Sequence, residues 1–251
     1  FIVSLVVFGG IRRIGKVAAK LVPFMVLVYL AAGCLILVKH FSEIPVVFMS
    51  IINDAFTGDA VLGGSLGMII SIGIKRAAFS NEAGIGTEAM AHGAAKTQEP
   101  VREGLVATLG PFIDTIVVCS ITAFVILISG VEASEVNGVT LTTMAFTNEL
   151  GFLGKILLMT AVFTFSLTTM FGYSYYGRKC TSYLFGTRYK NAYNWFYIIA
   201  IVVASVISID IAINFVDGLF ALMAVPTMIS TLLLSPKVMQ AAKKYFATLE
   251  Q

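Results

Sequence analysis

The consecutive residues Phe79-Ser80-Asn81-Glu82-Ala83-Gly84-Ile85-Gly86 place a hydroxyl, an amide, a carboxylate and two glycines inside an otherwise apolar stretch over residues 61–95. A continuous membrane helix needs ~20 apolar residues, and this window is longer than that and interrupted at its middle. Glycine accepts backbone angles that other residues avoid, and asparagine bonds its own backbone, so the chain can leave the helix here without severe strain. Breaking a helix frees N–H groups on one stub, which attract a carboxylate, and carbonyls on the other, which coordinate a cation. Such a break at membrane depth is tolerated only where it is buried in protein or lines a cavity, and it suits a solute site at the bilayer midplane. The alternative is a long helix kinked at glycine, with its polar groups satisfied by neighbouring helices.

Other polar residues fall in apolar segments. Ser166, Thr169 and Tyr173 are spaced i, i+3, i+7 and share a helical face, with Thr168 beside them. Uncharged hydroxyls suit a hard monovalent cation whose remaining ligands are backbone carbonyls. They equally suit bonding to the i−4 carbonyl or to a neighbouring helix. Asp114 lies just after Gly110-Pro111, where a kink is expected. An intramembrane acid is a candidate for gating or coupling, and a bond to the backbone freed by Pro111 or to a partner on another helix is the competing role. Lys75 and Arg76 also fall in the broken span, with Glu82 the nearest candidate ion-pair partner and direct contact with substrate the alternative role. Asp210, Asn214 and Asp217 share a face at the outer end of their span, where they line a wet entrance or act as a gate. No nucleophile stands beside a base, so no enzymatic constellation is read and no cofactor is expected. The GIG triplet follows no strand, which sets nucleotide binding aside.

The elements that must hold these groups are membrane helices. Hydrophobic residues make up 58% of the chain and charged residues 12%, against ~25% charged in soluble domains, and the mean hydropathy is +0.91. Cys34, Cys119 and Cys180 stand singly, and His40 and His92 are far apart, so no metal-ligand spacing is present. The pattern predicts an all-α polytopic protein with one transmembrane domain over 1–251. Its spans are expected at 21–38, 61–95 (broken over 79–86), 105–129, 153–176, 192–209 and 211–234. Residues 44–56 read as an interfacial helix, with Gly63 and Gly67 as a small-residue packing face in the next span. Residues 9–20, 96–103, 130–151 and 178–190 read as loops, and 236–251 as a polar tail. The opening apolar run reads as the end of a helix whose predecessors are absent, an N-terminally truncated chain.

Charge placement orients the spans. With 9–20 inside, the inside segments collect Arg12, Arg13, Lys16, Lys20, Lys96, Arg102, Arg178, Lys179, Arg188, Lys190, Lys237, Lys243 and Lys244, against Lys39 and Lys155 outside. The C-terminus is thereby expected in the cytoplasm.

Three blocks carry a resemblance. KRAAFSNEAGIGTEAMAHGAAKTQEPVREGLVATLGPFIDT (75–115), FSLTTMFGYSYYGRKC (165–180) and GGIRRIGKVAAKLVPFMVLVYL (9–30) resemble the alanine-or-glycine:cation symporter family, the sodium–alanine symporters of prokaryotes. That resemblance implies a leucine-transporter-like five-plus-five inverted repeat of the APC superfamily, here from the tail of core helix 4 through core helix 10. It implies sodium-coupled symport of alanine or glycine across the cell membrane. Proton coupling, and a non-transporting channel or receptor subunit, are the rival readings. Carried onto this chain, Phe79, Ser80, Asn81 and Gly84 line the substrate with Tyr173, which stands where the family commonly has tryptophan. Thr168 and Thr169, with Ser166 or the Phe165 carbonyl, ligate sodium. Asp114, Glu82 and Asp217 remain the gating or coupling candidates. The implied partners are the amino acid, sodium, the lipid bilayer and N-terminal helices of the same protein, with no nucleic acid.

Overall fold

In a computed structural model of the chain, residues 1–56, 65–131 and 138–249 are described, with backbone alone for 55, 56, 65–72 and 210. Among them every regular element is helical. Four helices are long and apolar enough to cross a membrane, Gly10–Lys39, Pro100–Ile128, Gly138–Phe185 and Ile211–Leu249. The protein is a polytopic membrane protein.

A short helix, α1 (Ile2–Val7), turns through Phe8 and Gly9 into α2 (Gly10–Lys39). The basic segment 9–20 is therefore not a loop but the first turns of α2. Ile11, Ile14, Val17 and Leu21 recur at helical spacing, and Ile14 is buried against Val3, Val7, Phe171 and Tyr175. Pro23 consequently lies inside the helix rather than near its start. At ~1.5 Å per residue α2 spans ~45 Å, so its basic end extends past a ~30 Å hydrocarbon core. The helix α3 (Ile44–Phe56) packs on the later helix Ser120–Ile128. Residues 61–64 of the expected broken span, with Gly63, lie outside the described residues. So do Glu132 and Glu135.

The broken span appears as α4 (Ser65–Asn81) and α5 (Thr87–His92). A continuous helical rod follows: α6 (Pro100–Pro111), a π-helical segment (Phe112–Cys119) and α7 (Ser120–Ile128). Pro111 has no N–H to give to the preceding turn, and the ladder widens immediately after it.

The long α8 (Gly138–Phe185) breaks at Gly151, φ 62 and ψ −146, backbone angles essentially reserved for glycine. The expected loop 130–151 is thus largely a helical limb, 138–150. It forms because Ala145 and Phe146 bury with Ala32, Ile36, Val125 and Leu158. The two limbs approach so closely that a Cβ at Gly154 would fall 2.1 Å from the Phe146 carbonyl oxygen. At the limb's end, Glu149 Oε2 accepts hydrogen bonds from Lys39 Nζ at 3.0 Å and His40 Nε2 at 2.7 Å, while His40 Nδ1 donates to Glu43 Oε1 at 2.8 Å. Both ring nitrogens donate only in the imidazolium. Glu43 first, then Glu149, accordingly raises the His40 pKa above its ordinary value.

The last helices are α9 (Lys190–Ala204) and α10 (Ile209–Leu249). The expected span 192–209 ends early, at Ala204, and the expected polar tail continues α10 to Leu249. Gln240, Ala241, Ala242, Lys243 and Lys244 are strong helix formers, enough to carry the helix past Pro236. Tyr197 on α9 donates to the Met170 carbonyl at 2.8 Å, tying α9 to α8. No described side chain of α10 is buried.

Candidate functional site

The helix α4 stops at Asn81 because its own side chain takes over. Asn81 Oδ1 accepts the Ala83 N–H at 2.9 Å, an Asx turn. Glu82 follows at φ 57, the one non-glycine residue with positive φ among the described residues, and Gly84 and Gly86 stand at φ 85 and 89. A left-handed glutamate costs on the order of 1–3 kcal/mol and persists only where its surroundings fix it. One such constraint is close packing: a Cβ on Gly86 would lie 2.8 Å from Thr227 Oγ1 of α10. Another is the Phe79 ring, 5.3 Å from that of Phe220 on the same helix.

The other side of the stub is stitched to the π-helical segment. Ser80 Oγ donates to Asp114 Oδ2 at 2.6 Å, and Asn81 Nδ2 donates to Thr115 Oγ1 at 3.1 Å. Of the roles open to Asp114, the structure shows a partner on another helix. Having given its hydrogen to Asp114, Ser80 presents only acceptor lone pairs to anything else.

Beside these bonds lies a cavity of about 440 Å³, within the ~300–1,000 Å³ of small-molecule sites. Phe79, Ser80, Asn81 and Glu82 form one wall, Gly110, Pro111 and Asp114 a second, and Phe165, Thr169, Tyr173 and Tyr176 a third. Among the described residues its carboxylates are Glu82, Glu88 and Asp114, and no lysine or arginine lines it. His92 closes one flank, donating through Nδ1 to Glu103 Oε1 at 2.7 Å. The cavity can hold a small polar solute that brings positive charge, and among the described residues it presents no paired nucleophile and base.

The residues singled out in sequence divide into two groups. Phe79, Ser80, Asn81, Glu82, Asp114, Thr169 and Tyr173 meet at the cavity. Gly84, Ser166, Thr168 and Asp217 do not line it. Thr168 Oγ1 donates to the Phe165 carbonyl at 2.9 Å and the Thr164 carbonyl at 3.1 Å, and Ser166 Oγ to the Val162 carbonyl at 2.8 Å. A hydroxyl bonded back in this way keeps lone pairs for a cation. Asp217 lies on α10 one turn before Phe220, half-buried.

The expected pairing of Glu82 with Lys75 or Arg76 is not made. Lys75 and Arg76 are exposed on α4, and among the described residues neither forms an ion pair. The left-handed turn carries Glu82 off the α4 face to the cavity that Tyr173 and Tyr176 also line. Sequence reasoning also passed over Thr115, Tyr176, His92 and Thr87. Thr115 and Tyr176 adjoin residues it had marked, and adjacency on a polar face was the available signal. The Thr87 hydroxyl is buried and, among the described residues, unpartnered.

The sequence model of the sodium:alanine symporter family matches residues 1–251. The chain is 38% identical over 244 residues to the sodium/alanine symporter AgcS of Methanococcus maripaludis, covering 96% of this chain and 54% of that protein. It is 30% identical over 242 residues to the probable sodium/glutamine symporter GlnT of Bacillus subtilis, covering 96% and 51%. It is 34% identical over 199 residues to the sodium/proton-dependent alanine carrier protein of Bacillus sp. strain PS3, covering 73% and 44%. The chain spans about half the length of the curated relatives it matches.

Proposed function

This chain belongs to the sodium:alanine symporter family, and on that premise we propose that it forms about half of a sodium-coupled symporter of small neutral amino acids in the cell membrane. The observation that carries the reading is the interrupted helix at Asn81–Thr87, which borders a cavity shared with Thr169 and Asp114. Phe79, Ser80, Asn81 and Tyr173 form one side of the solute site, with Gly84 giving the backbone its turn. Thr168, Thr169, Ser166 and the Phe165 carbonyl contribute to the sodium site, and the remaining ligands come from a second broken helix outside this chain. Glu82, Asp114 and Asp217 are the candidates for coupling or gating.

The fold proposed is the leucine-transporter-like inverted repeat, with α4 and α5 as core helix 6 and the second limb of α8 as core helix 8. Sodium favours the conformation in which both stubs are ordered, so ion and solute binding stabilise each other, and alternating access carries both across. The basic ends of α2, α8 and α10 support a cytoplasmic C-terminus.

The test is uptake of labelled alanine by the full-length carrier in proteoliposomes. Saturable uptake that disappears when sodium is replaced by choline supports the reading. A second reading, proton coupling, is favoured by the Asp114 carboxylate at the cavity and by the similarity to the sodium/proton-dependent alanine carrier protein of strain PS3. Uptake that survives without sodium but collapses with the pH gradient selects it.

A further inference from the structure

We propose that the π-helical turn after Pro111 positions the broken helix for its solute, with Thr115 the positioning residue for Asn81 and Asp114 for Ser80. The proposal rests on the preceding reading that Ser80 and Asn81 contact the amino acid.

Two neighbouring residues on one element bond two neighbouring residues on another: Ser80 to Asp114 and Asn81 to Thr115. In an α-helix of 3.6 residues per turn, successive side chains diverge by ~100°. The wider π turn over Phe112–Cys119 reduces that divergence and lets both side chains address the same stub. π-helical segments inside α-helices are frequent at functional sites.

The Asn81 amide shows what the turn accomplishes. Its oxygen accepts from Ala83 N–H, which makes the break, and its nitrogen donates to Thr115. These two partners fix which way the amide faces. One N–H of Asn81 and the remaining lone pairs of Asn81 and Ser80 are then left in fixed directions for a solute. Removing Thr115 Oγ1 leaves the amide held by the Ala83 N–H alone and takes no group from the cavity wall, since Thr115 does not line the cavity. The cost of that freedom falls on solute binding.

The experiment is a double-mutant cycle on the alanine KM of the full-length carrier in proteoliposomes. Thr115→Val is expected to raise KM about 3- to 10-fold, the value of one hydrogen bond, with maximal rate and sodium activation unchanged. Thr115→Ser restores the wild-type KM. In an Asn81→Ala background Thr115→Val has no further effect. If Thr115→Val is poorly folded by melting temperature, Thr115→Ala takes its place in the cycle. An equal Thr115 effect with and without Asn81 overturns the proposal. So does a wild-type KM in Thr115→Val when Asn81→Ala raises it. A wild-type KM in Asn81→Ala overturns both the proposal and the placement of the solute at this stub.

Discussion

Ser80 donates its hydroxyl hydrogen to Asp114 Oδ2 at 2.6 Å, joining residues separated by 34 positions in sequence. This bond ties the end of α4 to the turn after Pro111, and it gives an intramembrane carboxylate a partner where an unpaired one would be costly. Because asparagine keeps an acceptor at the same place, Asp114→Asn is expected to retain sodium-driven alanine uptake. Asp114→Ala strands the Ser80 hydroxyl, at ~1–3 kcal/mol, and should raise the alanine KM by about tenfold. Uptake in proteoliposomes measures both. A dead but well-folded Asp114→Asn carrier would instead assign Asp114 to proton carriage.

Thr169 lines the cavity, whereas Ser166 and Thr168 donate to carbonyls of their own helix. Thr169→Val, nearly isosteric, should therefore raise the sodium concentration for half-maximal uptake by about tenfold, the size of one polar contact to a charge. Ser166→Ala should raise it less. A sodium titration of uptake that leaves Thr169→Val at the wild-type value removes Thr169 from the ion site.

Gly86 combines a left-handed φ of 89 with a Cβ position 2.8 Å from Thr227 Oγ1. Gly86→Ala meets both a backbone penalty of roughly 1–2 kcal/mol and a steric one, because Thr227 Oγ1 is held by the Met223 carbonyl at 2.8 Å. The variant should melt several degrees lower in detergent. Gly84→Ala, with no atom near its Cβ, carries only the backbone penalty and should melt in between. Equal melting of both variants would show that α10 does not press on the break.

His40, facing Glu43 and Glu149, has its pKa raised in the folded protein. Its contribution is fully present below the unfolded value of ~6.5 and is lost as pH rises through the higher folded value. Lys39 also bonds Glu149 and stays charged throughout, so the link weakens without parting. Protease resistance of the limb 138–150 should fall as pH rises from the acid side across the neutral range. His40→Gln should flatten that profile, and an unchanged profile in this variant would assign the dependence to another group.

The sequence by itself determined the membrane class and the place where a helix must stop. Composition and hydropathy are one-dimensional properties, and the residue types at 79–86 already include the asparagine that makes the Asx turn and the glycines that take positive φ. It also determined which residues are polar in an apolar setting. Tertiary structure alone decided whom they meet. Asp114 bonds Ser80, Glu82 joins the cavity lined by Tyr173 and Tyr176 instead of pairing with Lys75 or Arg76, and Thr169 reaches the cavity while Ser166 does not. These outcomes depend on the angle and register between helices far apart in sequence, which a local pattern does not encode. The same limit explains the loops that proved helical. Ile14 and Phe146 look like residues of basic or acidic connectors until the buried faces of α8 and α2 are there to receive them.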